Sequence, residues 1–268
     1  MLSPEQLRTL AGQASAVLKS LREFDKLEIL PVVKSLLSPT DRDRCFVGIY
    51  YRAAANVRTL LALNNAYHFQ AIAMISRATI EIAMDMKLLN IIPRSVEKMM
   101  AFVPSEKLKT AKKIVAFAQG KAGNPPDVNT YEQFIAANEA SVIGTRTQLW
   151  GRSQPPEHWS NMNIKERAVQ IGAPFDELYE IKYRHLSWQA HAGLTGVAGL
   201  ESGVFTAMCG DAFGIAATCY EEVLGAMIVE LQLSKVDPKI WKKLTLARLL
   251  PATDGPDQVA QLQRDLLD

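Results

Sequence analysis

The sequence predicts an all-α protein, folded as a single multi-helix domain that resembles a bundle. Apolar residues recur at helical spacing along almost the whole chain, and no stretch of the sequence alternates like a β-strand. Ser, Thr or Asp stands directly before Pro or an apolar run at several points, which is typical of helix starts. With 268 residues, of which 48% are hydrophobic, the chain can bury a substantial core.

The first half of the chain is expected to form four helices. Ser3 and Pro4 begin the first helix as its cap and first residue, and the segment Ser38-Pro39-Thr40-Asp41 caps the third. The two long helices at 41–63 and 66–90 should pair as an antiparallel hairpin, because their connection is short. The predicted helices of this half are 4–24, 31–37, 41–63 and 66–90.

The second half is divided more finely by Pro and Gly. Pro93 and Pro104 are expected to interrupt the chain, so that the next helix begins only after Pro104. A polar, acidic tail follows at 252–268, and no linker or repeat divides the chain, so we expect one domain over 1–268. The predicted helices of this half are 105–119, 131–141, 163–170, 174–191, 211–233 and 238–250.

Composition excludes several classes of protein. Thirty Lys and Arg side chains face 28 Asp and Glu side chains, so that net charge alone predicts neither a nucleic-acid nor a membrane partner. Three cysteines without a close pair favour a reducing compartment, and we expect a cytoplasmic protein. The common nucleotide-binding and metal-binding motifs are absent, and the chain has four histidines. We therefore predict no cofactor, no metal site and no membrane partner.

Three charged residues interrupt the apolar helix at 66–90. Arg77, Glu81 and Asp85 follow one another at spacings of four, which places them on one helix face. One interpretation is a solvated face or a structural network of ion pairs. The other is a polar site in the bundle core, in which Arg77 holds an anion or orients Glu81.

A second polar row lies in the helix that ends near His191. Glu180, Arg184, Ser187 and His191 share a face at steps of three and four. An imidazole can transfer protons and a guanidinium can bind phosphate, a combination that suits cleavage of RNA by its own 2′-hydroxyl. The alternative is structural: His191 ends a helix and bonds nearby backbone, and Ser187 pairs with it.

Two further patterns have a structural and a functional interpretation. Gly210 and Gly214 allow close helix packing, either within the chain or across a dimer. Residues 94–121 carry seven basic and two acidic side chains, which is typical of a solvated face and also compatible with a phosphate or RNA contact.

Three motifs together resemble a known family. They are Arg77-x-x-x-Glu81 on an apolar helix, Trp159-Ser160 before a short helix, and Tyr183, Ser187 and His191 at spacings of four. In this order they resemble a bacterial family known only as a domain of unknown function, DUF5677. The resemblance covers about 52–200, within a family-like core of about 40–235. It implies an all-α fold with a polar cluster built from the Arg/Glu helix and the Ser/His helix, and no established reaction.

A looser resemblance is to the HEPN superfamily of all-α proteins, many of them toxins or phage-defence effectors. Arg184 and His191 are similar to that superfamily's Arg and His, which are separated by four to six residues. The resemblance implies a metal-independent ribonuclease that acts as a homodimer, with His191 as acid and base and Arg184 on the phosphate. Residues that bind or orient would be Arg77, Glu81, Asp85, Tyr183, Ser187 and Glu180. The alternative is a non-catalytic helical module that binds a partner or a small anionic ligand.

Overall fold

The computed structural model describes residues 4–63, 65, 68–121, 126–190 and 202–252. In these ranges every regular element is a helix, which confirms the predicted all-α class. The chain divides into two compact units, one made of 1–87 and 168–268 and the other of 88–167. The single domain remains a prediction. Except for Ala252, the predicted acidic tail lies outside the described residues.

The first unit contains the termini and most of the helices. A π-helical turn at Asp25–Ile29 joins α1 to α2, and a second one at Leu178–Tyr183 joins α8 to α9. The helices are α1 (Pro4–Phe24), α2 (Leu30–Ser35), α3 (Asp41–Ala62), α4 (Phe69–Ile91, which enters the second unit after Lys87), α8 (Phe175–Glu177), α9 (Arg184–Ala190), α10 (Ser202–Glu230), α11 (Leu233–Val236) and α12 (Ile240–Leu249).

Local signals place several helix ends where the sequence predicts them. The Thr40 hydroxyl accepts a hydrogen bond from the Asp43 backbone N–H, and the Thr40 N–H donates to the Asp43 carboxylate. This reciprocal cap provides hydrogen-bond acceptors for the backbone N–H groups of Thr40 and Asp43 at the start of α3. By contrast, α10 begins at Ser202 and not near Asp211 as predicted.

Helix α1 packs lengthwise on α10 and also contacts α3 and α12. At Gly210 a Cβ atom would lie 2.9 Å from the Cα of Ala11, so that only glycine fits without a shift of a helix. This contact agrees with the interpretation that Gly210 serves packing within the chain. Gly214 has no such neighbour within 4 Å.

One helix is apolar enough to raise the question of a membrane. The part of α10 from Thr206 to Glu230 is long and apolar enough to cross a bilayer by length and composition, but 67% of its most apolar window is buried inside the protein. A buried core helix passes the same test, so this is weak evidence for a span.

The second unit is built around a helical hairpin. It contains α5 (Ser95–Gln119), α6 (Asn129–Trp150) and the first half of α7 (Ile164–Ile171). Lys112 pairs with Glu139, and Arg146 bonds Ser105, so α5 and α6 run antiparallel. The Arg146 Nε donates to the Ser105 Oγ at 2.8 Å, and burial lowers the pKa of this guanidinium.

Two predicted boundaries in this unit were wrong. Helix α5 begins at Ser95 and continues through Pro104, whose exposed position leaves the packing against α6 intact. Helix α6 does not stop near Ser141 but runs to Trp150, where Gly151 adopts a left-handed conformation with φ of 68°. Buried Val142 and Arg146 hold this extension against α5.

Candidate functional site

The charged stripe on α4 is partly open to solvent. Arg77 and Glu81 are half-buried, whereas Asp85 is buried. The Arg77 Nε lies 3.4 Å from the Glu81 Oε1, an i,i+4 ion pair. Of the three predicted residues, only Asp85 is therefore buried as a whole.

Tyr183 connects this stripe to the second predicted row. Its hydroxyl donates to the Glu81 Oε1 at 2.7 Å, and the Arg77 Cζ lies over the Tyr183 ring at 4.8 Å from its centre. Burial, and then the hydrogen bond to the Glu81 carboxylate, raise the pKa of Tyr183 to about 12. The fold thus brings Arg77 and Glu81 of α4 into contact with Tyr183.

The π-helical turn before α9 adds a second ring. Tyr179 stacks on Tyr183 with 5.5 Å between ring centres, and the Arg184 Cζ lies 6.0 Å from the centre of the Tyr179 ring. Widened turns of this kind are frequent at functional sites. We call Arg77, Glu81, Tyr179, Tyr183 and Arg184 the open cluster, because Arg184 is exposed and Arg77, Glu81 and Tyr179 are half-buried.

Other members of the predicted row have more limited roles. The Ser187 hydroxyl donates to the Tyr183 backbone carbonyl at 2.8 Å, so its proton is used within the helix. Glu180 is exposed, with its Oε2 3.5 Å from the Arg184 Nη2. His191 lies outside the described residues, so its relation to Ser187 and Arg184 is a prediction.

Sequence reasoning missed the role of the exposed Trp188 beside Arg184 and His185. Trp188 is 58% exposed, and the His185 ring meets it edge-on with 5.3 Å between centres. Exposed rings next to a cation are typical of surfaces that stack nucleobases. The signal in the sequence is Arg184-His185 followed by Trp188.

Sequence reasoning also missed a polar cluster in the core. Asp25, at the first π-helical turn, accepts hydrogen bonds from the hydroxyls of Tyr50 and Tyr220 and from the Arg22 guanidinium. Asp25, Tyr50 and Tyr220 are completely buried, and Arg22 nearly so. We call these four residues the sealed cluster. The sequence indicates this cluster through Asp25, which lies at helical spacing from Leu18, Leu21 and Ile29 and therefore on the same buried helix face.

The Trp-Ser motif has a structural role in the second unit. Trp159 and Ser160 are buried, and the Trp150 indole donates to the Trp159 carbonyl at 2.9 Å. The Ser160 Oγ lies 2.7 Å from the His158 Nδ1. These bonds order the loop between α6 and α7.

The described residues offer little for metal or thiol chemistry. No group of three or more His, Cys, Asp or Glu side chains among them could hold a metal ion. The cysteines are free and buried, and burial raises the pKa of Cys209 to about 11 and that of Cys219 further. At neutral pH these thiols are therefore protonated and poor nucleophiles.

Comparison with known proteins gives one match. No curated protein and no solved structure shows significant similarity to the chain. A family model described as "Family of unknown function (DUF5677)" matches residues 43–201, more than half of the chain, including α4 with Arg77 and Glu81 and the segment with Tyr183 and Ser187. The chain belongs to this family of unknown function.

Proposed function

We propose that the chain is a metal-independent ribonuclease of HEPN type, a cytoplasmic toxin or defence effector that acts as a homodimer on RNA. The observation that carries this proposal is the position of Arg184 in the open cluster. Its guanidinium is exposed and lies near the Tyr179 ring. Its ion pair with Glu180 is long, at 3.5 Å, so the guanidinium can bind another anion. A cation beside exposed rings can bind a phosphate while a neighbouring base stacks.

The proposed reaction is transesterification within the RNA. The 2′-hydroxyl oxygen attacks the adjacent phosphorus, and the bond from phosphorus to the 5′ oxygen breaks. The His191 imidazole takes the proton of the 2′-hydroxyl, and His191 of the partner subunit gives a proton to the leaving 5′ oxygen. The products are a 2′,3′-cyclic phosphate and a 5′-hydroxyl, and the step consumes neither water nor a metal ion.

In this proposal the open cluster binds the phosphate through Arg184 and holds the tyrosine rings that support Arg184. Arg184 neutralises the phosphate, which gains negative charge as the new bond forms. Arg77 and Glu81 hold the Tyr183 ring, and Tyr183 supports Tyr179 below Arg184. Asp85, Ser187 and Glu180 would orient these groups through the helices that carry them.

The test is cleavage of a mixed RNA pool in the presence of a chelator. We expect cleavage by the unaltered chain and its loss in His191→Ala and Arg184→Ala, with unchanged helicity and melting temperature. Arg44→Ala is the matched control, because the Arg44 side chain is 59% exposed and pairs with Asp41, while the Arg184 side chain is 58% exposed and pairs with Glu180. No cleavage by the unaltered chain would contradict the proposal.

A second candidate function is a non-catalytic helical module that binds a partner or a small anionic ligand. It is favoured by the Ser187 hydroxyl, which bonds its own helix, and by Glu81, which already accepts from Tyr183 and pairs with Arg77. Saturable binding of RNA or phosphate without cleavage, lost in Arg184→Ala, would support this candidate.

A further inference from the structure

The hairpin of the second unit contains an apolar groove. Helices α5 and α6 border an open concave space of about 630 Å³, a volume within the range of small-molecule sites. Its walls are mainly apolar and are formed by Phe102, Val103, Ala111, Tyr131 and Phe134. All of them belong to one compact unit.

These walls are open to solvent. Val103 is 55% exposed and Tyr131 is 40% exposed. Burying such side chains under an apolar ligand releases about 25 cal/mol for each Å² removed from water. Contiguous exposed apolar surface of this kind often marks a binding site.

The groove lining carries one carboxylate, that of Glu106, and one ammonium, that of Lys107. Glu106 is already paired with Lys109, so the ammonium of Lys107 is the charge that remains for a ligand. Lys109 and Lys112 are paired with Glu106 and Glu139. Lys107 lines the groove, and within the described part of the chain it has neither an ion pair nor a hydrogen bond. It lies four residues from both Val103 and Ala111, so its ammonium is on the same helix face as the apolar wall.

We propose that this groove binds a small amphiphile with an aliphatic body and a carboxylate head. The body covers Phe102, Val103 and Phe134, and the carboxylate pairs with Lys107. The Thr110 hydroxyl, which also faces the groove, can donate to the same carboxylate. This site is independent of the proposed ribonuclease activity.

The test is calorimetric titration of the full chain with decanoate, and with decanol as the uncharged analogue, both below the concentration at which they aggregate. We expect saturable binding of both. Lys107→Gln should weaken decanoate about 2–5-fold, as expected for one exposed ion pair, and leave decanol unchanged. Lys113→Gln is the control, because Lys113 is an exposed lysine of α5 that does not line the groove.

A second variant tests the groove itself. Thr110 is exposed and lines the groove, so Thr110→Trp fills the space without disturbing the core. We expect it to abolish binding of decanoate and decanol while the melting temperature is kept. Absence of saturable binding to the unaltered chain, or binding that survives Thr110→Trp, would overturn the proposal. So would the conversion of a dimer to a monomer by Thr110→Trp without any decanoate binding, since the groove would then hold a second copy.

Discussion

The sealed cluster and the open cluster use the same chemical groups in opposite settings. Each lies at a π-helical turn and joins a carboxylate, a tyrosine hydroxyl and an arginine. In the sealed cluster Asp25 is completely buried and accepts from Tyr50 and Tyr220. In the open cluster Glu81 is half-buried and accepts from one tyrosine.

The difference between the two lies in access to solvent. A buried carboxylate must be fully paired, because an unpaired charge in the core is very unfavourable. In the sealed cluster Asp25 accepts three hydrogen bonds, and these bonds connect α1, α3 and α10. The open cluster is screened by water, contributes less to stability, and leaves Arg184 accessible.

The largest expected effect is on folding stability when the carboxylate of the sealed cluster is removed. Asp25→Ala should lower the free energy of unfolding by about 3–5 kcal/mol, because it leaves the Arg22 charge buried without its partner. Glu81→Ala, the equivalent change in the open cluster, should cost about 1–2 kcal/mol, because it removes one half-exposed ion pair and the hydrogen bond from Tyr183. Chemical denaturation followed by circular dichroism measures both. Equal losses in the two variants would show that solvent access does not separate the clusters.

Removing a tyrosine hydroxyl should also cost more stability in the sealed cluster than in the open cluster, but by a smaller margin. Tyr220→Phe removes a buried hydrogen bond to a charged group and should cost about 1.5–3 kcal/mol. Tyr183→Phe should cost about 0.5–1.5 kcal/mol, since water reaches Glu81. The measurement is again the free energy of unfolding, and a larger loss in Tyr183→Phe would contradict the comparison.

Alkaline pH should affect both clusters through their tyrosines. Burial, before any other cause, raises the pKa of Tyr50 and of Tyr183 from the ordinary value of 10.0 to about 12. Above pH 10 the unfolded chain loses these protons before the folded one, so stability is complete below about pH 10 and falls up to about pH 12.

The check is the free energy of unfolding measured across this pH range. The double variant Tyr50→Phe and Tyr183→Phe should lose less stability between pH 10 and pH 12 than the unaltered chain. Tyrosinate absorbance of the folded protein gives a second readout, in which the late-titrating hydroxyls of Tyr50 and Tyr183 are absent from the variant, while that of Tyr220 remains. An unchanged pH dependence would show that neither hydroxyl is protected by the fold.

The sequence predicted the parts of the fold that depend on local signals. The segment Ser38-Pro39-Thr40-Asp41 predicted the start of α3, and the structure shows that Thr40 caps this helix together with Asp43. Pro104 misled the prediction, because a proline on an exposed helix face is tolerated when the rest of the helix packs on a neighbour. The tertiary contact with α6 was not visible from the sequence around Pro104.

The candidate site was predictable in its residues but not in its connections. Helical spacing placed Arg77 and Glu81 on one face, and a family resemblance added Tyr183. The bond between Tyr183 and Glu81 joins residues far apart in the chain, so only the fold could reveal it. Tyr179 stacks through a π-helical turn, which departs from the α-helical spacing on which the prediction was based.

Arg184→Ala is expected to have the smallest effect on stability and a clear effect on RNA binding. Its side chain is exposed and its ion pair is long, so Arg184→Ala should change the free energy of unfolding by less than about 0.5 kcal/mol. If Arg184 contacts a phosphate of single-stranded RNA, the variant should bind more weakly and with a salt dependence whose logarithmic slope is smaller by about 0.7. Fluorescence anisotropy of a labelled RNA in a salt series measures this slope, with Arg44→Ala as the control. A loss of affinity with an unchanged slope would mean that Arg184 supports the Tyr179 ring and does not touch phosphate, which would separate the open cluster from the chemistry proposed for it.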